Sequence, residues 1–250
     1  LTTYSYNISN QKVECIFDAT INQLENYAPA NAVVIITDHH IAALYSQQLS
    51  AYRVITFVAG ESNKTQSTVD QIIQQLILME IDREALIVGV GGGVVTDIVG
   101  FVASIYKRGL RFGFIPTTIL AMVDAAIGGK NGVNVGLYKN MVGTIVQPSF
   151  ILFDYTFLQT LPEAEWRNGF AEIIKHACIR DVEMFSNLQQ HQLIDYIKDA
   201  KLLTNIIQKN VAIKLEIVAQ DALEKKERLF LNFGHTVGHA IENSAQLKHG

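Results

Sequence analysis

The sequence predicts an α/β fold in which a parallel-sheet domain precedes a mostly α-helical domain. Three observations carry that prediction. Short β-rich runs alternate with helical stretches over roughly the first 155 residues, the pattern of strands joined by crossover helices. An apolar run enters a glycine-rich turn at 89–93, and a helical stretch opens directly behind it. Beyond Pro162 apolar residues recur at helical spacing and strand signals fade.

Taken in order, strands are expected at 12–17, 32–37, 53–58, 85–90, 111–115 and 149–153. Helices are expected between them at 41–49, 68–79, 94–106 and 117–126. The second half predicts helices at 164–179, 182–188, 193–218 and 229–244. A domain boundary is expected between Asp154 and Pro162, separating residues 1–157 from 158–250. Internal repeats and low-complexity segments are absent from the sequence.

At 250 residues the chain can bury a substantial core, and 49% hydrophobic with 18% charged residues is a globular composition. A net charge of −4 argues against a nucleic-acid coat or a membrane-surface protein. It leaves room for a local basic pocket that holds an anionic small molecule. The most apolar window, 85–103, is broken by Asp97 and clustered glycines, so it is a strand–turn–helix and not a membrane span. Cys15 and Cys178 form no CxxC pair, and the N-terminus lacks the basic-then-apolar form of a signal peptide. A reducing cytoplasm is the expectation. The chain starts without Met and stops one residue after His249, so a fragment is also expected.

Gly89, Gly91, Gly92 and Gly93 have the physics of a phosphate cradle: glycines let the backbone approach a pyrophosphate, and the helix behind offers free N–H groups. The spacing is GxGGG and not GxGxxG, so a tight structural turn is the alternative. Asp38 ends a strand where a carboxylate could meet a ribose, or simply cap a helix. Gly60, Glu61 and Lys64 follow another strand, at a place where α/β sheets put ligands; the alternative is a solvated loop. Asp97, one turn into the helix, could favour the helix dipole or face a nicotinamide or substrate hydroxyl.

Thr117, Thr118, Asp124, Lys130, Lys139 and Asn140 are polar groups embedded in Gly- and Ala-rich apolar sequence. Lysines in such a setting reach inward toward phosphate or carboxylate, unless they are ordinary loop lysines. Glu172, Lys175 and His176 share one face of an otherwise apolar helix, so Glu172 is expected to be buried or partnered, with a metal ion as one candidate cation; the alternative is an intrahelical Glu–Lys pair on a half-exposed face. Lys214 and Arg228 flank the charged segment 221–227 and would by themselves be read as solvated. His235 and His239 are four apart beside Asn232 and Glu242, and His249 follows a break. The cluster suits a metal site or acid–base chemistry, and the bland alternative is a helix with two ordinary histidines.

Taken together, GVGGGVVTDIVGFVASIYKRG, IPTTILAMVDAAIGGKNGVN, LYKNMVG, FLQTLP, GFAEIIKHACI and LNFGHTVGHAIE with a closing HG resemble the 3-dehydroquinate synthase family, in order and spacing, over nearly the whole chain. The resemblance implies an N-terminal Rossmann-like domain that binds NAD, a helical domain, and an active site between them with a divalent metal, zinc or cobalt. It implies Glu172, His235 and His249 as metal ligands, which replaces the His235–His239 pair that spacing alone suggests. His239 is then a proton-transfer group facing the substrate. The implied NAD contacts are Asp38, Gly60, Glu61, Lys64, Gly92, Gly93, Asp97, Thr117, Thr118, Lys130, Lys139, Phe157 and Thr160. Substrate contacts are implied for Asp124, Lys130, Asn140, Lys175, Lys214, Arg228 and Asn232. Arg108 matches an arginine that crosses a homodimer interface to the phosphate.

The implied reaction converts 3-deoxy-D-arabino-heptulosonate 7-phosphate to 3-dehydroquinate and phosphate, with NAD regenerated. Partners other than the sugar acid phosphate and a second copy of the chain are not expected. Some positions depart from the family pattern. Ala125 and Ala126 stand where serines are frequent, Lys226 and Glu227 replace a frequent Gly-Leu, and His40 stands where Asn is common. Family members also continue well past Gly250. The competing readings are a related sugar phosphate cyclase, a metal-dependent polyol dehydrogenase, and a non-catalytic nucleotide-binding module.

Overall fold

A computed structural model describes residues 1–245. Its strands are β1 (Thr2–Ile8), β2 (Gln11–Phe17), β3 (Val33–Asp38), β4 (Arg53–Phe57), β5 (Leu86–Gly91), β6 (Phe112–Pro116), β7 (Lys130–Val135), β8 (Tyr138–Ile145) and β9 (Phe150–Phe153). Seven of them form one sheet in the order β1-β2-β9-β6-β5-β3-β4, and β7 pairs with β8 as a separate antiparallel hairpin. Only the β1–β2 pair in the large sheet is antiparallel.

Both faces of the sheet are covered, which explains why its strands read as continuous apolar runs. In β3, Val34 and Ile36 join one buried cluster while Val33 and Ile35 join the other, as strand alternation requires. The first cluster is closed by α3 (Gln66–Leu78) and α4 (Gly93–Ile105), the second by α1 (His39–Leu44), α2 (Ser46–Leu49) and the 3-10 turn Ile21–Asn26. The chain steps from β3 out to β4 and then returns to lay β5 on the other side of β3. Loops leaving the carboxyl ends of β3 and β5 therefore diverge, and a sheet of this kind has its ligand crevice there.

The helical part comprises α5 (Glu163–Arg180), α6 (Val182–Leu188), α7 (Leu193–Lys198), α8 (Ala200–Gln220) and α9 (His235–Ala245). The α/β class expected from the sequence is the one observed. The expected helix 193–218 is two helices, because Asp199 turns its carboxylate onto the Lys201 and Leu202 amides (2.9 and 3.0 Å) and restarts the helix as an N-cap. The expected helix 229–244 is likewise broken, at Gly234, whose φ of +82° favours glycine. Residues 121–125 wind as a π-helix and not as part of a regular α-helix. β1, β7 and β8 went unread: β8 is exposed over almost its whole length, so no apolar alternation marks it. Among the described residues, no helix is long and apolar enough to cross a membrane.

Gly169 ties the two parts together. It lets α5 lie directly on the segment after β6, where an added Cβ would stand 2.4 Å from Ile119 Cβ and 2.6 Å from the Leu120 amide nitrogen. Gly169→Ala gains about 1 kcal/mol of helix propensity but forces an overlap costing about 1–3 kcal/mol. The overlap involves backbone, so it wins. Urea unfolding of Gly169→Ala should show a lower midpoint than wild type.

Candidate active site

The carboxyl ends of the parallel strands carry one side of the site. Asp38 ends β3, and its Oδ1 accepts from the His40 and Ile41 amides at 2.8 and 3.1 Å, so it caps α1. After β4 the backbone turns at Gly60 with φ +108°, passes Glu61, and buries Lys64. After β5, Gly92 is the N-cap of α4 and brings no capping side chain, and Gly93 opens the helix. A Cβ at Gly92 would lie 3.2 Å from Thr118 Cγ2 and one at Gly93 would lie 3.1 Å from Ala125 Cβ, so the glycines keep this turn low. After β6, the Thr117 amide donates to Gly91 O (2.9 Å) and Thr118 Oγ1 accepts from the Ala121 amide (3.1 Å). After β9, buried Phe157 packs on the Tyr45 ring, whose hydroxyl meets Thr160 Oγ1 at 2.7 Å.

Lys64 forms an ion pair with Asp97 and donates to Asn140 Oδ1 at 2.5 Å. It thus joins the β4 loop, α4 and β8. Burial pushes the Asp97 carboxyl up to about 6 against the opposing charge of Lys64. Lys139 stands exposed beside Asn140 on β8.

The helical part supplies the other side. Asp124, on the π-helix after β6, takes two contacts from buried Lys214 of α8: Nζ reaches Oδ1 and the backbone O, each at 2.5 Å. Burial works to raise the Asp124 pKa, yet Lys214, Lys175 and His176 outweigh it and hold the carboxyl well below the usual range. Burial lowers the Lys214 pKa, opposed by Asp124. On α5, Glu172 is ion-paired with Lys175, both buried. Burial and Asp124 push Glu172 up, but His235 and Lys175 prevail and lower it. His235, at the start of α9, places Nε2 3.9 Å from Glu172 Oε1.

His176 is fully buried one turn beyond Glu172. Asn210 of α8 donates Nδ2 to Ile206 O (2.8 Å), so its Oδ1 faces His176 Nδ1 at 3.1 Å and that nitrogen carries the proton. The other nitrogen, Nε2, makes no hydrogen bond and faces Asp124 Oδ1 at 3.8 Å. Burial depresses the His176 pKa to about 4, so the ring is neutral at physiological pH. Asp124, Glu172 and His176 each bring a donor atom within 4.8 Å of the others, a second cluster able to hold a cation.

Arg228 is buried, donates to Ala222 O at 2.8 Å, and lies against Gly128, where a Cβ would come within 2.5 Å of Nη2. Gly128 also has a φ of +101°, so only glycine suits that turn. Burial lowers the Arg228 pKa. Lys130, which opens β7, pairs with Glu224, and Asn232 Nδ2 reaches the same carboxylate at 3.5 Å.

Two families of residues singled out in the sequence are thus brought together: the set at the strand ends that is expected to face a nucleotide, and Asp124, Glu172, Lys175, Lys214 and His235 behind it. Arg108 is not brought to them within one chain. It is exposed at the far end of α4, on a backbone with φ +67°, at the edge where β6 begins. The His239 side chain and His249 lie outside the described residues. Glu224 and Asn210 were not marked by the sequence analysis, and His176 was marked without a task. Glu224 sits in a run of mixed charge that reads as solvated, and Asn210 is one polar residue in a long helix. His176 alone had a usable signal, its spacing of four from Glu172.

Family models described as the 3-dehydroquinate synthase N-terminal and C-terminal regions match residues 54–168 and 169–250. The chain belongs to the 3-dehydroquinate synthase family. A 3-dehydroquinate synthase of Saccharolobus solfataricus is 45% identical over 229 residues, covering 86% of this chain and 64% of that protein. The chain spans 61–70% of the length of the curated relatives it matches. Two solved structures of 27% and 32% identity superpose with TM-scores of 0.88 and 0.83. They are a 2-deoxy-scyllo-inosose synthase complexed with carbaglucose-6-phosphate, NAD+ and Co2+, and a 2-epi-5-epi-valiolone synthase of Streptomyces hygroscopicus with NAD+ and Zn2+. They cover 99% and 98% of this chain, and it covers 72% and 70% of theirs.

For this family member, Asp97 gives a pH test. Its folded pKa of about 6 exceeds the ordinary 3.8, so its contribution to stability is present below pH 3.8 and is lost as pH rises through about 6. Asp97→Asn should flatten the stability profile between about pH 4 and about pH 6. A carboxyl NMR titration of Asp97 should show a midpoint near 6; a midpoint at the ordinary 3.8 would mean that Lys64 cancels the effect of burial.

Proposed function

We propose that the protein acts as a 3-dehydroquinate synthase, converting 3-deoxy-D-arabino-heptulosonate 7-phosphate to 3-dehydroquinate and phosphate with catalytic NAD and a divalent metal. The observation that carries this reading is a set of four buried cations, Lys64, Lys175, Lys214 and Arg228, in a chain of net charge −4. Burying a cation is costly unless it meets an anion. Three of these already hold carboxylates, an arrangement that suits a substrate with a carboxylate at one end and a phosphate at the other.

The residues fit both implied groups. The Gly92–Gly93 turn at the N-terminus of the 13-residue helix α4 leaves the backbone open to a pyrophosphate. Asp38 and Glu61 would meet the ribose side, with Lys64, Asp97, Thr117, Thr118, Lys139, Phe157 and Thr160 around the remainder. Glu172 and His235 would hold the metal with His249: donor atoms 3.9 Å apart suit two ligands of one ion at about 2.0–2.2 Å each. When bound, NAD supplies a hydride acceptor that gives the hydride back, and the divalent ion supplies a Lewis acid.

The chain's own residues do the rest. Lys130, Asn140, Arg228 and Asn232 would hold the anionic groups and keep the reacting atoms close, where fixed geometry contributes much of the acceleration. Glu172, engaged by the metal, would release Lys175 toward the substrate. Lys214 would keep Asp124 ionised beside the substrate hydroxyls. His239 would move the proton, and Arg108 would serve the site of a second copy in a homodimer. A cytoplasmic setting accords with this chemistry.

Phosphate release from the heptulosonate phosphate, measured with substoichiometric NAD and added zinc or cobalt, tests the reading. Many phosphates per NAD with no lasting NADH absorbance are expected; NADH accumulation without phosphate release would make the protein a dehydrogenase. His235→Ala should lose bound metal and turnover while NAD still binds. His239→Ala should keep the metal and turn over more slowly; loss of metal there would give His239 the ligand role.

A further inference from the structure

We infer that Asn134 is a positioning residue that couples the nucleotide loop after β4 to the substrate-facing hairpin β7–β8. The inference rests on the proposed function for what each side binds, and on geometry for the link itself. Asn134 interrupts the β7–β8 ladder: the register shifts between Val133 and Val135. Such an irregularity re-aims a side chain out of the regular alternation. Here it turns Asn134 toward the β4 loop, which it also meets as an isolated parallel bridge to Thr65.

Every hydrogen-bonding group of Asn134 that the structure engages points at one of the two segments. Its backbone N–H donates to Lys64 O at 2.8 Å. Its Nδ2 donates to Glu61 Oε1 at 2.8 Å. Its Oδ1 accepts from the Asn140 amide at 2.9 Å. The circuit closes when Lys64 Nζ donates to Asn140 Oδ1. Asn140 has a φ of +56°, a conformation that costs a non-glycine residue energy, and these two bonds hold it there. Glu61 and Lys64 face the nucleotide in the proposed function, and Asn140 faces the substrate. An asparagine supplies what the circuit needs, a donor toward Glu61 and an acceptor toward Asn140, from one planar amide.

Ligand on one side should therefore pre-order the other, a linkage that must run equally in both directions. The test is NAD affinity by calorimetry, with and without saturating inorganic phosphate, for wild type, Asn134→Ala and Asn134→Asp. Wild type should bind NAD more tightly with phosphate present. Asn134→Ala should weaken NAD binding by roughly fivefold to tenfold, as expected for lost hydrogen bonds, and phosphate should no longer change it. Asn134→Asp keeps the acceptor for Asn140 but sets a carboxylate against Glu61, so it should weaken NAD like the alanine variant. The proposal is overturned if Asn134→Ala keeps the wild-type response to phosphate, or if wild type binds NAD with no such response.

Amide hydrogen exchange without ligand separates this proposal from the function on which it rests. Asn134→Ala should raise exchange in the Gly60–Lys64 loop and at Lys139 and Asn140 together. A rise confined to one segment, or none, would refute the link even if NAD binds. If wild type binds no NAD while Asn134→Ala still raises exchange in both segments, the function is refuted and the link stands.

Discussion

Three carboxylates, Asp97, Asp124 and Glu172, are packed beside three buried lysines, Lys64, Lys214 and Lys175. The site depends on that matching. A charge taken out of water costs several kcal/mol, and loss of either partner strands the other. Well-packed apolar side chains often stabilise a fold as well as a buried ion pair does, so stability alone gives little reason to keep such pairs. In the proposed function they hold charge of both signs, pre-placed and water-poor, where an arriving anion or cation would exchange partners with groups that are already oriented.

The fold makes this possible by division of labour. The parallel sheet sends the β3, β4, β5, β6 and β9 loops to one edge, and the switch between β3 and β5 opens the crevice. Helices α5 and α8 close it from the other side. The segment after β6 belongs to both: Thr117 and Thr118 begin it and Asp124 ends it. Gly169 lets α5 press onto that segment, so Glu172 and Lys175 are held in fixed relation to the glycine turn. The hairpin β7–β8 is packed on α4 and carries Lys130 and Asn140 to the same mouth.

Much of this was legible in the sequence. The buried strands β3, β5 and β6 announce themselves because apolar runs on both faces leave a strong signal. Glu172 was expected either to be buried with a cation such as a metal ion or to pair with Lys175 on a half-exposed face; the pair forms, and it is buried. Lys214 and Arg228 were different. By composition they belong on the surface, and only the family resemblance drew them inward. Their burial depends on partners about a hundred residues away, Asp124 and the Gly128 turn, which no local pattern reveals. The hairpin and Glu224 were missed for the opposite reason. Exposed strands and mixed-charge loops share one composition, and only the tertiary structure shows that Glu224 meets Lys130 and Asn232. Asn210 was invisible because a single buried amide in an amphipathic helix resembles a solvated one.

The central proposal is that Glu172 would hold the metal together with His235, and that Asp124 and His176 would not be its ligands. Anomalous diffraction at the zinc edge, from crystals grown with zinc and NAD, tests this most directly. The account predicts one strong peak within coordination distance of Glu172 and His235, with Lys175 turned away from Glu172. A peak bounded by Asp124, Glu172 and His176, with His235 apart from it, would contradict the account.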